Sequence, residues 1–175
     1  KTGTLPPFEE KFKKIGTIIS PSLLFQGIAK AANMNIRAVE RATGFAETNF
    51  EGKVEAAILE LKTQDVVYLN IAGAEEVSLK GNIDDKVLTI EDIDSKVIGP
   101  LLEKTAAYKN FKIMVVINHM NSAVDVKYGK DRVPFVMSTK SGTNFLDKFD
   151  ENLINEGNNH FKSGIELMNV FFDVN

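Results

Sequence analysis

A chain of 175 residues, 43% hydrophobic and 26% charged, is long enough to bury a core and too apolar to stay disordered. A net charge of −3 and a pI near 5.5, with lysines spread along the chain, leave no basic groove for nucleic acid. The sequence has no cysteine, which removes disulfides, thiolate metal sites and cysteine nucleophiles and fits a reducing, cytoplasmic compartment. Its longest apolar run, Ile113 to Ile117, is far short of the roughly 18–20 residues a membrane helix needs, and no secretory pattern opens it. The chain starts at Lys1 without methionine, so a processed piece of a longer protein is expected.

Residues 1–14 read as an entry segment in which Pro6-Pro7 disfavours early helix. Ile15 to Ser20 is a short β-rich run, and Pro21 sits where a helix can begin. Leu23, Leu24, Ile28 and Ala31 then keep helical spacing to about Ala32. Asn35 to Glu40 is a weaker strand. Thr48-Asn-Phe-Glu51 has the form of a capping box, and the helix behind it carries Val54, Ile58 and Leu61 on one face. Val66 to Ile71 is the next strand. Asp85 to about Tyr108 is helical, with Val87, Ile90, Ile93, Val97 and Leu101 recurring at three and four, and Pro100 predicts a kink or break. Phe111 to Ile117 is the strongest strand, apolar and β-branched as a strand covered on both faces should be. Val133 to Ser138 is another strand, and Ser163 to Phe172 closes the chain as a helix.

Strands alternating with helices predict βαβ units and an α/β fold with a largely parallel sheet, in one domain spanning residues 1–175. In such sheets ligands gather at the carboxyl ends of strands. Two of those ends are polar here: Asn70 to Glu76, and Asn118-His119 with Asn121 and Ser122. His119 either binds a metal or moves a proton, or it hydrogen-bonds loop backbone. Glu75-Glu76 either coordinates a hard cation or forms a solvated turn. The acids Asp84, Asp85, Glu91, Asp92 and Asp94 read as helix-dipole compensation and surface, and His160 as exposed. No nucleophile elbow, Walker loop or dinucleotide fingerprint occurs, and the glycine-bearing loop Ala42 to Phe45 is a turn or a weak anion signal.

Several collinear blocks carry a family resemblance. Residues 42–53, ATGFAETNFEGK, resemble the ATGY..TNYEGK block of the archaeal-type, cofactor-independent phosphoglycerate mutases of the alkaline phosphatase superfamily. Phe8 to Phe12 is similar to the family's FEEKYG lead-in, Leu24 to Ala29 to its L..GIA helix and Ile90 to Asp94 to its IE.ID helix. Val133 to Val136 resembles its PVPF strand, and Gly164 to Met168 its G.ELM close. The similarity runs nearly end to end but covers only the later part of a family member.

The resemblance implies a three-layer α/β/α, partial alkaline-phosphatase-like core. In intact members it implies metal-dependent phosphoryl transfer on glycerate, a glycolytic isomerase reaction in which two divalent cations and a serine take part. The serine and the first metal-binding aspartate belong to the family's amino-terminal part. The family's aspartate–histidine pair corresponds to Asn118-His119, so His119 matches and Asn118 does not. Its DEAGHEGD stretch corresponds to Glu75 through Asn82: Glu75 replaces an aspartate and can still ligate, whereas Leu79 replaces a histidine and cannot. Tyr128 stands at a third histidine position, and Asn121 replaces a threonine. His119 and Glu75 are therefore the candidate metal ligands, and no catalytic residue is assigned within the chain. No cofactor is expected; Mn²⁺, Zn²⁺ or Mg²⁺ would bind if the family site were retained. A catalytically degenerate domain with a structural or binding role follows, its partner another protein or the missing amino-terminal half. The competing expectations are a piece of a working phosphomutase or phosphatase, and a sensor of phosphorylated small molecules using a crevice near Thr43, Asn70, Asn118 and His119.

Overall fold

The computed structural model describes residues 5–140, 148–157 and 159–174; Lys1 to Thr4 of the expected entry segment lie outside them. The first element is a helix after all, α1 (Phe8–Phe12). A proline disfavours helix at the residue before it but not after it, and Pro7, at φ −53°, already has the dihedral of a helix entry. Phe8 and Phe12, four apart, then share the buried face, where both rings meet Phe172.

Next come β1 (Gly16–Ile19), α2 (Leu23–Ala31) and a strand of two residues, β2 (Asn35–Ile36). They are followed by α3 (Phe50–Glu60) and β3 (Val66–Leu69). These strands form a parallel sheet in the order β2-β1-β3, with Thr17 opposite Asn35 on one side and Val67 on the other. The expected mixed α/β fold with a parallel sheet is what the chain adopts. β1 is central and buried at all four positions, and α2 and α3 pack against it. The buried residue of α2 is Ala29, joined by its C-cap Ala32, whereas Leu23, Leu24 and Ile28 are exposed. Helical spacing located this helix, but a small side chain sets its close approach to the sheet.

The cap of α3 is Asn49, one residue beyond the expected Thr48. Its side chain accepts from Gly52 N at 2.8 Å, while the Thr48 hydroxyl is engaged with the backbone of Thr43. Asn49→Ala is expected to lower stability by about 1 kcal/mol in denaturant titration; Thr48→Ala, which leaves the cap in place, tests that assignment by its effect on the 43–48 loop instead.

After β3 the chain forms α4 (Gly73–Leu79) and α5 (Ile83–Ile93), a π-helical turn (Asp94–Ile98) and α6 (Gly99–Thr105). Before Pro100, where a kink or break is expected, the helix widens into this turn: Gly99 N donates five residues back to Asp94 O, which accommodates the ring and missing N–H of Pro100. Then come β4 (Lys112–Val116), β5 (Asn121–Ser122), β6 (Lys127–Tyr128) and β7 (Phe135–Thr139), with α7 (Leu153–Glu156) and α8 (Gly164–Phe171) last. β4 pairs with β7 and β5 with β6, both antiparallel. The expectation that the strand at 111–117 is covered on both faces does not hold. Lys112 and Val116 are exposed, and among the described residues β4 pairs with β7 alone. Apolar, β-branched character makes a strand; what covers its faces is decided by neighbours.

Candidate functional site

α4 carries the acids that the sequence places in a loop, and a glycine sets where it sits. A Cβ on Gly73 would lie 2.8 Å from Ala46 Cα and 3.0 Å from Phe45 O, so the helix start lies directly on the backbone of the 42–48 loop. Glu75 and Glu76 occupy its first turn, where negative charge suits the helix dipole. The β5–β6 hairpin approaches from the other side: Gly81, with φ +71°, ends the α4 region against Val126 and Ala123, and Lys86 Nζ of α5 donates to Asn121 O at 2.6 Å.

This packing joins residues more than forty positions apart. The Tyr128 hydroxyl donates to Glu75 Oε1 at 2.8 Å, and His119 Nε2 lies 3.5 Å from the same oxygen. The His119 and Tyr128 rings meet edge-on at 4.6 Å. Asn118 Nδ2 lies 3.1 Å from His119 Nδ1; an amide nitrogen only donates, so a neutral ring carries its proton on Nε2, facing Glu75. The hydrogen bond to Glu75 raises the Tyr128 phenol above its usual pKa, with desolvation and the carboxylate charge adding to it. Leu79, one turn beyond Glu75, offers only hydrocarbon. Next to the cluster, both amide atoms of Asn121 are buried with no hydrogen-bond partner. Among the described residues no three histidine, aspartate or glutamate side chains group as metal ligands would.

Thr43, Asn70 and Asn118 do not hydrogen-bond to one another. The Thr43 hydroxyl donates to Glu47 O and accepts from Phe45 N, holding its own loop. Asn70 Oδ1 accepts from Ser20 Oγ at 3.0 Å, joining the carboxyl ends of β1 and β3. Asn118 holds His119. Of the expected site residues, the fold brings together Glu75, His119 and Asn118. Lys53 was missed: it is completely buried in α3, donates from Nζ to Thr43 O at 3.1 Å, and burial lowers its ammonium to about 8. The available signal was its place on the apolar face, three residues after Phe50 and four before Ala57.

The model of the Metalloenzyme superfamily matches residues 2–167. The chain belongs to that superfamily. This superfamily member is 32% identical over 167 residues to a 2,3-bisphosphoglycerate-independent phosphoglycerate mutase of Methanosarcina barkeri, covering 94% of the chain and 42% of the relative. A probable enzyme of the same name from Geobacter sulfurreducens is 31% identical, over 99% of the chain and 44% of its own length. The corresponding Sulfolobus acidocaldarius protein is 31% identical, over 97% and 40%. A solved structure of a Pyrococcus horikoshii protein superposes with a TM-score of 0.69 at 24% identity, over 77% of this chain and 41% of that one, a likeness of fold. The superfamily member thus spans well under half the length of the curated relatives it matches, and its similarity is to their carboxyl-terminal part.

Proposed function

We propose that residues 1–175 act as one catalytically degenerate, phosphoglycerate-mutase-like domain in the cytoplasm, with a structural, partner-binding or ligand-binding role. The observation that carries this reading is the hydrogen bond from Tyr128 to Glu75. At the position where the resemblance expects a histidine ligand, a neutral phenol donates to the carboxylate oxygen that a metal would need. Two divalent cations held close together need several anionic or imidazole donors converging on each. One carboxylate, one imidazole and a phenol, with Leu79 aliphatic and Asn118 an amide, do not fit that pair, so no phosphoryl-transfer step is derived for this chain.

Calorimetric titration of the chain with Mn²⁺ or Zn²⁺ is expected to give no two-site binding. The variant combining Asn118→Asp, Leu79→His and Tyr128→His, which returns the family's ligand types, is expected to gain measurable binding heat. Tight uptake of two ions by the unaltered chain would overturn the reading.

One observation favours a second reading, a part of a metal-dependent phosphoglycerate mutase or phosphatase whose nucleophile and other ligands lie outside this chain. His119 and Glu75 stand together, 3.5 Å apart, as one matched ligand and one conservatively replaced one would. The same titration discriminates the two, because saturable one-site binding competing with the Tyr128–Glu75 hydrogen bond supports this second reading.

A further inference from the structure

From β1 the chain crosses through α2 to β2 on one side and returns through α3 to β3 on the other. Both crossovers join parallel strands, and the usual right-handed sense then sets α2 and α3 on opposite faces of β1, which is buried at all four positions. Where neighbouring strands send their chains to opposite faces, their carboxyl ends separate and leave a crevice. Here it lies after β1 and β2, with a volume of about 190 Å³. Ile19, Pro21, Ala38, Val39 and Ala42 give it an apolar lining, and among the described residues Arg37 is its only charged group. None of these residues belongs to the Glu75–His119–Tyr128 cluster.

The guanidinium is anchored through Glu60. Its Nε lies 3.9 Å from Glu60 Oε1, and the other oxygen of that carboxylate accepts from the Thr17 hydroxyl at 2.9 Å. Thr17 is completely buried and the Glu60 side chain 17% exposed, whereas that of Arg37 is 46% exposed. Among the described residues Glu60 is the only carboxylate paired with Arg37. The two Nη groups are therefore left for a planar anion, held through parallel hydrogen bonds. The other polar groups of the crevice are already engaged: Gln26 Nε2 donates to Ser20 O, and the Ser20 hydroxyl to Asn70 Oδ1. We propose that this crevice binds a short-chain monocarboxylate, its carboxylate in plane with the Arg37 guanidinium and its hydrocarbon tail on Pro21, Ala38 and Val39. One guanidinium, part of whose charge Glu60 offsets, suits a single negative charge better than a doubly charged phosphate, which needs several donors. A space below the roughly 300–1,000 Å³ of drug-sized sites limits the tail to a few carbons. The site is independent of the degenerate-domain reading and of any metal near Glu75.

Titration of the whole chain with sodium butyrate, followed by ¹H–¹⁵N NMR at constant ionic strength, tests the proposal. Saturable shifts are expected at the amides of Ile19, Ser20, Val39 and Ala42 and at the Arg37 side-chain N–H. The Kd is expected on the order of 1 mM, the range open to so small a ligand. Arg37→Gln is expected to raise that Kd roughly tenfold or more by removing the charged pair. Arg37→Lys, which keeps the charge and loses the fork, is expected to fall between the two. Ala38→Leu, which narrows the crevice and leaves every charge in place, is expected to weaken butyrate as Arg37→Gln does. Circular dichroism of the three variants checks that each is folded. Butyramide, the uncharged analogue, and inorganic phosphate are expected to bind roughly tenfold or more weakly than butyrate. No saturation by butyrate, equal binding of phosphate or butyramide, or a Kd unchanged in Arg37→Gln would overturn the proposal.

Discussion

Lys53→Met is expected to stabilise the protein at pH 7 by about 1–3 kcal/mol and to abolish a rise in stability between pH 8 and 10.5. Burial lowers the Lys53 ammonium from 10.5 to about 8. Below pH 8 the amine is charged whether folded or not, and holding that charge inside costs the native state roughly 3 kcal/mol. Between pH 8 and 10.5 the unfolded chain binds one more proton than the folded one, so stability climbs with pH. The gain from methionine is smaller than the full cost because the bond to Thr43 O is lost. Tyr68 works in the opposite sense higher up. Burial raises its phenol to about 12, so from pH 10 upward the unfolded chain loses a proton that the folded chain keeps, and stability falls. Urea titrations at pH 7, 9 and 10 on the parent, Lys53→Met and Tyr68→Phe check this. A parent curve flat from pH 8 to 10 would show that the Lys53 charge is solvated in the folded state.

Ile19→Ala is expected to cost about 2–5 kcal/mol, the range for emptying a packed aliphatic site. Ile19 is 1% exposed on the central strand and packs with Ala56, Ala57, Val39, Leu69 and Leu101. Two of these neighbours are already alanine, which leaves little side chain able to collapse into the space. Leu24→Ala, at a residue 69% exposed on α2, is expected to change stability by only about 0.5 kcal/mol. The denaturation midpoints of the two variants measure the contrast between a core and a surface position of like chemistry. A similar loss for both would mean that the outer face of α2 is covered in solution.

These contrasts mark what the sequence made legible. Apolar periodicity located β1, α2, α3, β3, β4 and α8 to within a few residues, because local spacing alone decides helix or strand. It failed at α4, where Gly73 and two acids look like a turn; the helix starts there because glycine alone fits against the 42–48 loop. The hairpin at 121–128 is too short for any period to register. The exposure of β4 and of Ile83, Val87 and Ile90 on α5 was beyond reach for a different reason, since periodicity reports which residues are apolar and not whether anything covers them.

The sequence by itself determined the α/β class and the parallel βαβ units, and the resemblance of its collinear blocks implies that Glu75, His119 and Tyr128 stand at the family's ligand positions. Only the tertiary structure decided that these three share one cluster, with Tyr128 hydrogen-bonded to Glu75 and His119 against both, and that Lys53 lies buried beneath Thr43. The reason is physical. Local propensity acts over a few residues, whereas the Tyr128–Glu75 hydrogen bond spans 53 positions and forms only when the hairpin packs on α4.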